Sequence, residues 1–136
     1  MVRRNQIVLL LICLFTIAAL LSLNAATRRP SPIVDKYCDV GMTKAGRPGV
    51  SVDPMVLRAK RDRAVWRATS KIEIRFADGV DTPKCTESRG GRWQCVSKVF
   101  TEPGKHKYSV VMTDSAGKEA VLDPEIDIRP CAPDCP

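Results

Sequence analysis

The chain is 136 residues long and carries 22 Lys+Arg against 15 Asp+Glu, a formal charge of +7, with one histidine and six cysteines. Setting aside an apolar N-terminal run leaves about 110 residues, enough for one small domain. The single histidine excludes the two-histidine, one-cysteine set of a blue-copper centre, and the cysteines lack zinc-site spacing.

Arg3 and Arg4 precede an apolar run from Ile7 to Leu23 whose only polar side chains are Thr16 and Ser22. As a helix this run is about 25 Å long at ~1.5 Å per residue, and Asn24, Ala25 and Ala26 bring it close to the ~30 Å hydrocarbon core of a bilayer. A cleavable signal peptide has a shorter apolar region of ~7–15 residues and a small-residue cut site, where this chain has Leu23 or Asn24. Residues 1–26 therefore read as a signal-anchor, with a removed signal peptide as the alternative. As an anchor, this N-terminal helix makes the membrane the first expected partner.

Arg28 and Arg29 balance the arginines before the run, so flanking charge leaves the orientation open. Cys38, Cys85, Cys95, Cys131 and Cys135 decide it, because that density is expected where disulfides persist. The expected location is a single-pass inner-membrane protein with a periplasmic domain, or a protein secreted to the periplasm.

Residues 27–48 contain Pro30, Pro32, Gly41, Gly46 and Pro48 with little apolar periodicity and read as a linker. From 49 to 130, short apolar stretches are broken by Pro54, Gly79, Pro83, Gly90-Gly91, Pro103-Gly104, Gly117 and Pro124. No window sustains a 3.6-residue period, whereas Ile72–Phe76 alternates and Tyr108–Met112 is rich in β-formers. Strands are expected at 50–52, 55–58, 63–67, 71–76, 94–100, 107–113 and 119–122, with a last edge at 125–128 whose Glu125 and Asp127 face solvent. Trp66, Ile72, Ile74, Phe76, Val99, Phe100, Tyr108, Val110 and Met112 are the expected filling between two sheets. Residues 131–136 form a Cys/Pro tail.

The segment Pro103-Gly104-Lys105-His106-Lys107-Tyr108-Ser109-Val110, followed by Thr113-Asp114-Ser115-Ala116-Gly117-Lys118, resembles the final hairpin of immunoglobulin-like and cupredoxin-like sandwiches in bacterial envelope proteins. Trp66 resembles their buried strand tryptophan. The resemblance implies a two-sheet antiparallel β-sandwich, with Tyr108 packing its ring inward and its hydroxyl bonding upstream backbone. It implies no activity.

Cys85 and Cys95 are equidistant from Gly90, so a hairpin with a loop at Arg89-Gly90-Gly91 sets them opposite one another, within disulfide reach. Cys38 is expected to bridge to Cys131 or Cys135 if the domain ends approach. One cysteine is then left over for a covalent dimer or a partner protein.

Arg58, Lys60, Arg61, Arg63 and Arg67, continued by Lys71 and Arg75, form a basic run opposed locally only by Asp62 and Glu73. Such an edge can steer the domain toward an anionic surface, or keep a β-edge from pairing with other chains. Nucleic acid is not an expected partner, because stacking aromatics are not interleaved with the cations. His106 sits between lysines after a Pro-Gly corner, a solvated setting. No serine or cysteine lies in a nucleophile signature. No catalytic residue, metal or cofactor is expected. The reading is a binding or structural module, not an enzyme, with an envelope protein or a second copy as partner. The alternatives are an extracytoplasmic hydrolase or thiol redox enzyme, or a metal carrier.

Overall fold

A computed structural model of the protein describes residues 32–77, 80, 82–114 and 116–131. The N-terminal apolar run, residues 78, 79, 81 and 115, and most of the Cys/Pro tail, including Cys135, lie outside the described residues. Among the described residues the structure is all-β, and no helix is long and apolar enough to cross a membrane.

Ten strands follow in order: β1 (Val34–Met42), β2 (Pro48–Val50), β3 (Met55–Arg58), β4 (Asp62–Ala68), β5 (Ile72–Phe76), β6 (Lys84–Ser88), β7 (Arg92–Val96), β8 (Gly104–Thr113), β9 (Glu119–Leu122) and β10 (Glu125–Arg129). Sheet one runs β2-β1-β4-β7-β6; sheet two runs β3-β10-β8-β5, with β9 also on β8. Both sheets are mixed rather than wholly antiparallel, since β1 lies parallel to β4 and β3 parallel to β10. The cause is that β3, between β2 and β4 in sequence, leaves sheet one for sheet two. Its neighbours on either side in the chain therefore do not meet through a hairpin.

The glycines act where a turn demands a left-handed backbone. Gly90 and Gly91 (φ 95° and 74°) close the β6–β7 hairpin. At the β8–β9 turn Gly117 has φ 79°, while Asp114 Oδ1 accepts the Ala116 and Lys118 N–H groups at 2.9 and 2.8 Å. β9 and β10 are successive pieces on β8, separated by Asp123-Pro124. Proline has no N–H to give, but its carbonyl accepts the Tyr108 N–H at 3.1 Å and carries the ladder past the break.

The core lies between the inner faces. Sheet two supplies mainly aliphatic chains: Met55, Leu57, Ile72, Ile74, Val110, Met112, Ile126 and Ile128. Sheet one supplies a row in strict register, Cys38 beside Trp66, Trp66 beside Cys95, and Cys95 beside Cys85. Trp66, fully buried, meets the Tyr108 ring at 5.3 Å between centroids and the Phe76 ring edge-on at 6.3 Å.

Several expectations are corrected. The stretch read as linker provides β1 and the first residue of β2, and β1 is an interior strand of sheet one. Within it Asp35, Tyr37 and Asp39 alternate with Cys38 and Val40, and only Lys36 interrupts the pattern of a half-buried strand. β10 is not an edge either: it sits between β3 and β8, so Glu125 and Asp127 are half-buried and pair with Lys105 and Arg129. Val99 falls past the end of β7 and stays half-exposed outside the core. The Tyr108 ring is buried as expected, but among the described residues its hydroxyl meets no partner in full hydrogen-bonding geometry. His106 is on the inward-facing side of β8, half-buried and stacked on Phe100 at 5.7 Å.

Candidate binding face

The cysteines divide by position. Cys85 and Cys95 form a disulfide across directly opposed strand positions, with Cα atoms 4.0 Å apart. Cys38 is free and fully buried in mid-strand, so the bridge expected to Cys131 or Cys135 does not form. Trp66 stands between it and Cys95 in the same row. Its Sγ lies 3.8 Å from the Val52 carbonyl and 3.9 Å from Ser51 Oγ, contacts that settle a thiol. Cys131 is disulfide-bonded. Among the described residues the free thiol is the buried one, and a covalent link to another chain through Cys38 is incompatible with this fold.

The basic run is not one patch. Arg58 lies on the outer side of sheet two, beside Arg129, whereas Arg63 and Arg67 lie on the outer side of sheet one. Lys60 and Arg61 are in the turn between β3 and β4, which is tied by the Arg58 N–H to buried Asp62 Oδ2 at 3.0 Å. Arg61 stands 3.7 Å from the same carboxylate. Lys71 and Arg75 flank and occupy β5, where Arg75 pairs with Glu73 two residues away at 2.8 Å.

What sequence reading missed is the pair of carboxylates that β1 sets against β4. In the parallel register Asp35 lies opposite Arg63 and Asp39 opposite Arg67. Arg63 donates from Nε and Nη2 to the two Asp35 oxygens at 2.8 and 3.1 Å, a bidentate fork. Arg67 donates from Nε to Asp39 Oδ1 at 3.0 Å, and its Nη2 stands 2.8 Å from the same oxygen as an ion pair. The Arg63 fork holds the Asp35 carboxyl below the usual carboxylate range, and Asp35 raises Arg63 in return.

Between these pairs stands Tyr37, 51% exposed, with the Arg67 guanidinium carbon 4.6 Å from its ring centroid. Beneath them Val65 is buried although it points outward. Arg67 continues from Tyr37 into a hollow of about 600 Å³ at the end of sheet one, where Arg92, Trp93 and Gln94 of β7 also line the wall.

A smaller hollow of about 300 Å³ at the other end is lined by Ser97, Phe100 and His106. The serine and histidine there do not make a nucleophile. Ser97 Oγ accepts the Ala64 N–H at 2.9 Å and donates to the Lys98 carbonyl at 2.8 Å, so its proton is committed to backbone. Among the described residues no three His, Cys, Asp or Glu side chains converge as a metal site.

No known protein family matches this chain, and no curated protein matches it.

Proposed function

We propose that the protein is an exported or membrane-anchored β-sandwich, immunoglobulin-like or cupredoxin-like in kind, that works as a binding module through the outer side of sheet one. The observation that carries this reading is the exposed Tyr37 held under Arg67 between two registered Asp–Arg pairs. Tyrosine and arginine dominate contact energies at interfaces, and residues already fixed in place lose less entropy when a partner arrives. The apolar run from Ile7 to Leu23 and the disulfides support a setting outside the cytoplasm. The packing of Trp66 beside Cys95 and against Tyr108 supports the sandwich kind. The partner of this face is an envelope component or a second copy of the chain.

The test places a photo-crosslinking side chain at Tyr37 in the full-length protein in intact cells, with Val121, exposed on the outer side of sheet two, as control. A discrete adduct at position 37 and none at 121 is expected. Equal labelling at both positions, or none at 37, rejects the face.

A further inference from the structure

We infer that the hollow beside Tyr37 is a saccharide subsite that takes a pyranose unit bearing one carboxylate. This rests on the outer side of sheet one being the contact face, and it names the ligand chemistry there. The hollow's volume, about 600 Å³, falls within the ~300–1,000 Å³ of small-ligand sites.

Its wall combines three kinds of group. Half-buried Trp93, on the inward-facing side of β7 beside Ala68, reaches the hollow at the end of the sheet and offers an aromatic surface fixed by its packing against the core, and the apolar C–H face of a sugar ring packs on such a surface. Arg92 is exposed and has no carboxylate partner among the described residues, while Arg67 is already paired with Asp39, through a hydrogen bond from Nε and an ion-pair contact from Nη2. Gln94 and Ser88 supply neutral polar groups suited to sugar hydroxyls. Asp39, Arg67 and Arg92 together give the wall a formal charge of +1, which matches a monoanion. Asp39 would oppose a dianion such as a phosphomonoester, and it can accept a hydrogen bond from a sugar hydroxyl. A neutral sugar would leave Arg92 without its counter-charge.

The experiment is calorimetric titration of the purified full-length protein in detergent with trigalacturonate, maltotriose and a hexaglutamate peptide. Saturable binding of trigalacturonate is expected, at least about tenfold tighter than maltotriose, since the one carboxylate of the unit seated in the hollow gains a charge-assisted hydrogen bond while the other two remain in solvent. Arg92→Gln should weaken it by about tenfold and Trp93→Ala by at least as much, with retained Trp66 fluorescence reporting an intact core. The conservative Trp93→Phe should recover part of the loss. No binding of trigalacturonate at about 10 mM, or binding unchanged by Arg92→Gln, overturns the inference. Tighter binding of hexaglutamate overturns it too and assigns the hollow to acidic peptides. If the Tyr37 crosslink persists while trigalacturonate fails, the saccharide falls alone; if both fail, the contact face falls with it.

Discussion

Sheet one joins its strands through side chains as well as backbone, whereas the outward charges of sheet two pair mostly with near neighbours. On sheet one, Asp35–Arg63 and Asp39–Arg67 couple residues 28 apart in sequence, and Cys85–Cys95 crosses the β6–β7 hairpin. On sheet two, Glu73–Arg75 and Asp127–Arg129 join residues two apart on one strand, and Lys105–Glu125 crosses to the adjoining strand. The inner faces differ in the same sense, with sulfur and indole in sheet one against aliphatic chains in sheet two. Sheet two thus holds its outward charges by local pairs, and sheet one holds its own by pairs that form only when β1 docks on β4.

The largest effect should come from Trp66→Ala. It removes a fully buried indole together with its contacts to two rings, and should cost about 3–5 kcal/mol, a large part of a small domain's stability. Ile126→Ala on sheet two has a single aliphatic chain to lose and should cost less in the same urea titration; the reverse order would dissolve the contrast between the two inner faces. Replacing Cys85 and Cys95 together by alanine comes next. Freeing a loop of this length should cost a little under ~3 kcal/mol in the chain-entropy account. An unchanged urea midpoint would show that β6 is held by its backbone ladder alone.

How much of this was legible in the sequence depended on whether a signal was local. The Cys85–Cys95 hairpin was readable because Gly90-Gly91 marks the turn and the spacing on either side is equal. β3 and β9 were placed to the residue, since Pro54 bounds the first and Gly117 and Pro124 bracket the second. β1 was not legible, because the prolines and glycines around it resemble a linker and Lys36 interrupts its alternation. Losing β1 also hid Asp35 and Asp39, so the arginines of β4 looked unopposed. Parallel pairing between β1 and β4 leaves no turn signal at all. The fate of Cys38 was hidden for the same reason: a cysteine placed in a linker invites a bridge, and a cysteine in the middle of a buried strand does not.

The core also makes a prediction of opposite sign. Burial pushes the Tyr108 phenol well above its ordinary range, and among the described residues no group meets its hydroxyl in full hydrogen-bonding geometry, although the Trp66 indole and the Cys38 thiol stand beside it. An unsatisfied buried hydroxyl costs about 1–3 kcal/mol, so Tyr108→Phe should raise the urea midpoint while keeping the ring that packs on Trp66. A fall in the midpoint would mean that the hydroxyl is hydrogen-bonded after all.

The smallest expected effect is the sharpest test of the two kinds of ion pair. Asp35 and Glu73 are both held below the usual carboxylate range, each chiefly by hydrogen bonds from its arginine. A carboxylate whose folded pKa is depressed contributes stability that is present above its unfolded pKa and is lost as pH falls through the folded value, here below about pH 4. The unfolded reference separates the two. Glu73 and Arg75 remain two residues apart in an unfolded chain and keep part of their attraction, while Asp35 and Arg63 meet only when β1 docks on β4. Asp35→Asn should therefore flatten the acid side of the stability profile more than Glu73→Gln, as read by tryptophan fluorescence at low salt. Both effects should shrink in high salt, because both pairs face solvent. If Glu73→Gln flattens the profile as much, docking of β1 draws nothing from its carboxylates, and the Asp–Arg pairs serve the binding face alone.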